Sequence, residues 1–150
     1  MKHLISAFLL LASGTAFAQS DLKQNELSIN GFRNPSIGFE YRHNQYSANV
    51  GYYTTAFKRG EFSNFVKVGY TFWFFPSGNG PIPSSFYAGS SYMRGLNRNY
   101  EGKNALGTEV GYRWVVWKGL NLRIGAIGVS AKGQSFKVNP TPGISYSITL

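Results

Sequence analysis

The chain has 150 residues, a formal net charge of +9 from 15 Lys and Arg against 6 Asp and Glu, and no cysteine. That length holds one domain. The missing cysteines exclude a disulfide framework and thiol chemistry, and the basic balance points to anionic partners, lipid phosphates rather than nucleic acid because the aromatics alternate instead of clustering with basic residues.

The N-terminus reads as a secretory signal peptide over residues 1–18: Lys2 and His3 are followed by the apolar Leu4 to Ala12 and by Ala16-Phe17-Ala18, a small-x-small cleavage pattern. Residues 19–150 then form the exported domain. No later apolar run approaches the ~20 residues of a membrane helix, so a membrane location would require strands.

After a polar lead from Asp21 to Asn25, about eight alternating runs follow: Glu26 to Phe32, Ser36 to His43, Tyr46 to Thr55, Asn64 to Phe75, Ser84 to Leu96, Ala105 to Trp117, Leu120 to Ser130 and Gly143 to Leu150. Their period of two is a strand signature. An all-β fold is expected, an eight-stranded antiparallel up-and-down transmembrane β-barrel. Counted from the N-terminal side, the second, fourth and sixth connections centre on Asn44-Gln45, Pro76 to Pro83 and Lys118-Gly119. Longer connections, Ala56 to Ser63, Asn97 to Asn104 and Ala131 to Pro142, are expected at the opposite, outer end.

The faces carry the stronger signal. In the sixth run Leu106, Thr108, Val110, Tyr112 and Trp114 oppose Gly107, Glu109, Gly111 and Arg113, and in the second run Ile37, Phe39 and Tyr41 oppose Gly38, Glu40 and Arg42. The strand charges Glu26, Glu40, Arg42, Lys67, Glu109, Arg113 and Arg123 all fall on polar faces. A Lys or Arg facing lipid near the bilayer midplane costs about 2–4 kcal/mol, so this segregation suits a barrel with an apolar exterior. An eight-stranded barrel has room inside only for side chains. The inward charges are therefore expected to form a mutually paired plug. The fifth run fits least well, because Tyr87 and Met93 fall on its inward face. Among the rim aromatics, Trp73 and Trp117 are expected on the inward face, with Phe57, Phe62, Tyr92 and Tyr100 towards the outer end.

The last run alternates strictly, with Ile144, Tyr146, Ile148 and Leu150 on one face and Gly143, Ser145, Ser147 and Thr149 on the other. Together with the signal peptide, the eight amphipathic runs and the inward charges, this resembles small bacterial outer-membrane β-barrels of the OmpA-transmembrane and OmpX type. The resemblance implies that Ile144, Tyr146, Ile148 and Leu150 form a C-terminal signal for the barrel-assembly machinery. It also implies an inward salt-bridge network involving Glu40, Lys67, Glu109 and Arg113, and an outer-membrane location in the Gram-negative cell envelope; the peptidoglycan-binding domain that follows the barrel in OmpA is not expected here, because the sequence ends with the last alternating run.

The function expected is non-enzymatic, a structural or surface-interaction role with a filled, porin-like barrel and no cofactor or metal. Lys58, Arg59, Arg94, Arg98 and Lys103 lie on or beside the outer connections. They are the candidates for contact with outer-membrane lipids and lipopolysaccharide, since basic side chains bind phosphate. A soluble lipocalin-like barrel holding an apolar ligand is the alternative. A lipid A-modifying barrel enzyme would need His43, the single histidine after the signal peptide, which lies at a turn expected on the wrong side of the membrane.

Overall fold

The alternating runs become strands that wind antiparallel into a closed barrel. The computed structural model describes residue 22, residues 24–32 and residues 36–150. The predicted signal peptide lies outside the described residues. The strands are β1 (Asn25–Phe32), β2 (Ile37–His43), β3 (Tyr46–Lys58), β4 (Glu61–Ser77), β5 (Ser84–Gly95), β6 (Asn104–Trp117), β7 (Leu120–Ala131), β8 (Lys137–Pro140) and β9 (Gly143–Thr149). Each pairs with its sequence neighbour from β1 to β7, and β9 closes the ring by pairing with both β7 and β1. Closure leaves no free edge along β9, a liability that open sheets must otherwise cover.

Nine segments make eight staves because β8 and β9 are two parts of one strand. β8 pairs with β7 as Ala126↔Pro140 and β9 as Arg123↔Gly143, the same register on either side of Thr141-Pro142. Thr141 N–H still donates to the Gly125 carbonyl at 2.8 Å, so the register carries across this break without slipping. The connection expected from Ala131 to Pro142 therefore contains strand. Its four-residue length and Pro140 hid the alternation.

The connection expected from Ala56 to Ser63 is also shorter than the sequence suggested. β3 and β4 run on to a two-residue turn at Arg59-Gly60, where Gly60 has φ +78 and a side chain would be strained. The alternation was masked because the polarity of the two faces changes. Near the chain termini the lumen takes charged and hydroxylated side chains, whereas at the opposite, distal end it takes Tyr53, Phe65, Met93, Tyr100, Ile127 and Val129, with Phe57 packed against them. Tyr87 and Met93, awkward in sequence, are buried inward-facing residues. Phe57 and Tyr100 belong to this plug and not to an exterior aromatic rim. Trp117 departs in the other direction: a bulge between Val115 and Trp117 changes the parity, leaving its side chain 64% exposed.

The terminal end is closed by two segments that look like loose chain in sequence. Leu22, in the polar lead, is buried against Trp73 and Tyr87. The long turn after β4 folds under the lumen, with Ile82 buried and the Pro83 carbonyl accepting a hydrogen bond from Arg113 Nη2 at 3.0 Å. Its length thus reaches a buried cation. The wall thins where Tyr87 lies over the facing pair Gly111↔Gly125; a Cβ on Gly111 would stand 2.5 Å from the Tyr87 hydroxyl and 2.6 Å from the Ile124 carbonyl oxygen.

Candidate functional site

Strand register alone places Glu26 opposite Arg42 on β1 and β2. Arg42 Nε and Nη2 donate to Glu26 Oε2 at 2.8 and 2.5 Å, and Nη1 donates to the Asn44 carbonyl at 2.8 Å. Arg113 reaches the same carboxylate from β6, its Nη1 lying 2.6 Å from Glu26 Oε1. Glu26 therefore holds two guanidiniums, one on each oxygen, and its side chain is 0% exposed. Each carboxylate oxygen has a charge-assisted donor, the condition under which a buried ion group is tolerated.

A second set lies beside the first. Arg123 Nη2 on β7 donates to Glu40 Oε2 at 2.6 Å, while Ser47 and Asn30 donate to Glu40 Oε1 and Oε2 at 2.5 and 3.3 Å. Arg113 and Arg123 are direct cross-strand partners, a like-charge pairing that would ordinarily be unfavourable. Three features offset it: Glu26, Glu40, and the face of Trp73, whose ring centroid is 4.3 Å from Arg113 Cζ and 5.1 Å from Arg123 Cζ. Trp73 is fixed in turn by its Nε1 donating to Ser47 Oγ at 2.9 Å. Lys67 and Glu109 form a separate pair at 2.7 Å.

All seven inward charges named from sequence are thus in ion pairs, but their partners were not readable. Glu40 and Arg42, two residues apart, do not pair with each other; each binds a residue from a different strand. Arg113 pairs with Glu26 rather than with Glu40 or Glu109. Partners across the lumen depend on barrel stagger, which alternation does not encode. The sequence reading also missed Trp73 as the plate between the arginines, although a tryptophan on a charged face was the available signal. A hydroxyl and amide column completes the polar half: Ser28 Oγ and Ser147 Oγ are 2.8 Å apart, and Asn121 Nδ2 donates to Ser147 Oγ at 2.7 Å.

At the distal rim, β3–β4 and β5–β6 form adjacent hairpins tied by Asn97. Its Oδ1 accepts the Asn64 N–H at 2.9 Å, and its Nδ2 donates to the Phe62 carbonyl at 3.4 Å. The connection after β5 contains a 3-10 turn at Arg98–Tyr100, with Arg98 at φ +52 above the buried Tyr100. Gln134 Nε2, from the β7–β8 connection, donates to the Asn99 carbonyl at 3.4 Å. Arg59, Arg94 and Arg98 are exposed on this rim and Lys103 is half-buried. Arg94 Nη1 donates to Asn104 Oδ1 at 2.5 Å, and Lys58 ends β3 beside Arg59. The bonded loops present Arg59, Arg94, Arg98 and Lys103 from one framework rather than from independent chains.

His43 is exposed at the terminal end, with Nδ1 2.7 Å from Asn25 Oδ1. Among the described residues no group of three His, Asp or Glu side chains is arranged to hold a metal ion. On the outer wall, Ile144, Tyr146, Ile148 and Leu150 of the C-terminal stretch are all exposed. Comparison with protein-family models, with curated proteins and with solved structures finds no match to this chain.

Proposed function

We propose that this chain is an outer-membrane β-barrel without enzymatic activity, spanning the bilayer by its strands and contacting lipid phosphates, including those of lipopolysaccharide, through its distal basic rim. The observation that supports a membrane setting is the inversion of the wall. Ile29, Val68, Val110 and Ile124 on β1, β4, β6 and β7 are 54%, 52%, 60% and 69% exposed, whereas every ion-paired carboxylate and guanidinium of the strands is inside. Lipid favours such an exterior, and water does not. A soluble barrel with an apolar ligand would reverse the two faces.

The plugged terminal half supports a structural role rather than conduction. Both oxygens of Glu26 and of Glu40 are already engaged by donors, which disfavours their use as general bases. The test of the membrane reading is to fold residues 19–150 into detergent and compare gel mobility in SDS with and without boiling. A barrel that resists unzipping stays folded unboiled and migrates differently. Equal mobility, together with full solubility of the folded chain without detergent, would overturn the reading.

The rim has its own test. Arg59→Glu with Lys103→Glu is expected to weaken retention of vesicles containing lipopolysaccharide at low ionic strength, with the difference fading as salt screens the charges. Unchanged retention at low salt would remove the phosphate-contact role while leaving the barrel in place.

A further inference from the structure

The outer wall carries hydroxyls on three adjacent strands. On β5, β6 and β7 the outward residues Ser90, Thr108 and Ser130 are exposed, whereas Ile29, Phe39, Val68 and Ile144 hold outward positions on β1, β2, β4 and β9. Strand register brings the three together. Ser90 faces Thr108 across the β5–β6 ladder, and two residues nearer the distal rim Leu106 faces Tyr92 on β5 and Ser130 on β7. A hydroxyl surrounded by hydrocarbon costs free energy unless something bonds to it. On a membrane-facing wall, the polar partner must come from the lipid side.

The strip ends in cations. Two residues beyond Tyr92 and Leu106, Arg94 faces Asn104, and Arg94 Nη1 donates to Asn104 Oδ1 at 2.5 Å. Arg94 Nε and Nη2 and Asn104 Nδ2 are further donors for an anion. On the other side of Asn104 is the exposed Lys132, which follows Ala131, the cross-strand partner of Ala105. Strands are about 4.8 Å apart, so Arg94 and Lys132 flank Asn104 across about 10 Å, within reach of a shared phosphate for two long side chains. Lys103 precedes Asn104, and Glu101 is the single acid of the β5–β6 connection, so the local balance is positive.

Aromatic side chains border the strip. Tyr92 stands on its β5 side. On the β7 side Phe136 lies against the outer face of Gly128, where a Cβ would stand 2.5 Å from Phe136 Cζ and 3.3 Å from Thr108 Oγ1. A side chain at 128 would push this ring off the wall. Leu106, between the two aromatics, gives hydrocarbon an apolar track from the cations to Thr108.

We propose that the outward strip of β5, β6 and β7 binds one lipopolysaccharide molecule, with Arg94, Asn104 and Lys132 on its phosphate and Ser130, Thr108 and Ser90 on polar groups of its acyl chains. The proposal rests on the membrane and lipid-phosphate reading above and assigns that contact to one place on the wall. Depth selects the lipid. Ser130 lies about 7 Å along the strands from the cation row, and Thr108 and Ser90 about 14 Å, at about 3.4 Å per residue. A glycerophospholipid has its polar atoms at the ester level, close to its phosphate, and offers nothing to the deeper hydroxyls. The lipid of lipopolysaccharide is a phosphorylated glycolipid with ester- and amide-linked chains that themselves bear hydroxyls, so it has bonding groups at both depths.

The barrel and its variants are folded into phosphatidylcholine vesicles containing either lipopolysaccharide or phosphatidylglycerol, extracted into mild detergent, and their bound lipid is counted by native mass spectrometry. Heat-dependent gel mobility first verifies that each variant is folded. The unaltered barrel is expected to retain lipopolysaccharide in preference to phosphatidylglycerol. Thr108→Val with Ser90→Ala and Ser130→Ala should lower lipopolysaccharide retention about tenfold, the scale of a few lost hydrogen bonds, and leave phosphatidylglycerol unchanged. Arg94→Gln with Lys132→Gln should lower retention of both lipids, because each carries a phosphate. Equal retention of the two lipids by the unaltered barrel overturns the site. Indifference of both variant sets, with loss in Arg59→Glu plus Lys103→Glu, also overturns it and leaves the phosphate contact of the rim standing. Indifference of all three sets overturns both.

Discussion

Glu26→Gln is expected to lower the unfolding free energy by about 3–5 kcal/mol, the range for removing one partner from a buried ion pair. The substitution keeps the shape and removes the charge that Arg42 and Arg113 share. Both guanidiniums would then be buried without a counter-ion, next to Arg123 across the strand from Arg113. Denaturant titration of the barrel in vesicles, followed by tryptophan fluorescence, measures the loss. Adding Arg113→Met should return part of it, because one of the two orphaned cations is then removed and Arg42 alone remains. A loss below about 1 kcal/mol would mean that water reaches the cluster and that the terminal half is not a sealed plug. Glu109→Gln should cost less, since Glu109 serves Lys67 and its side chain is 13% exposed.

The second large effect separates the two environments that the wall could face. Val110→Arg places a guanidinium on the outward face of β6, where Val110 is 60% exposed. In a bilayer it should destabilise the barrel by about 2–4 kcal/mol, most if this position lies near the midplane. In water the same change at an exposed position should fall within about 0.5 kcal/mol. The comparison requires only that the variant and its parent be unfolded under identical conditions. A neutral result in vesicles would place this face outside hydrocarbon.

Much of the architecture was legible because alternation on long strands is a local property. β2, β5 and β7 agree with their sequence ranges to within one residue at each end, and the inward or outward parity of Glu40, Arg113 and Arg123 follows from it directly. What was lost has physical causes. From Thr55 to Ser63 the inward face is aromatic and hydroxylated instead of charged, so the end of the β3–β4 hairpin from Ala56 to Ser63 looked like loop. β8 is too short and too proline-bounded to show a period. Leu22 gave no sign, because a single leucine in a polar lead is compatible with any environment until Trp73 and Tyr87 are placed above it. The pairing of Arg113 with Glu26 needs two strands from opposite parts of the chain. The rim cations were visible as residues, but the role of Asn97 in fixing their loops depends on the adjacency of two hairpins.

The closure between β1 and β9 has a consequence for how the chain reaches this state. Ser28 and Ser147 meet across 119 residues, and Glu26 meets Arg113 across 87. Contacts of that separation are slow to form, because the entropy of a long loop is lost before they return anything. Until the last strand arrives, the nascent sheet has two raw edges and a set of charges without their partners. Desolvation of Glu26 and ring closure therefore belong to the same event: a partly wound sheet has little reason to bury the triad, and a finished ring cannot avoid it. Assembly should consequently be all-or-none and late, with open-edged intermediates that associate with one another unless something shelters them.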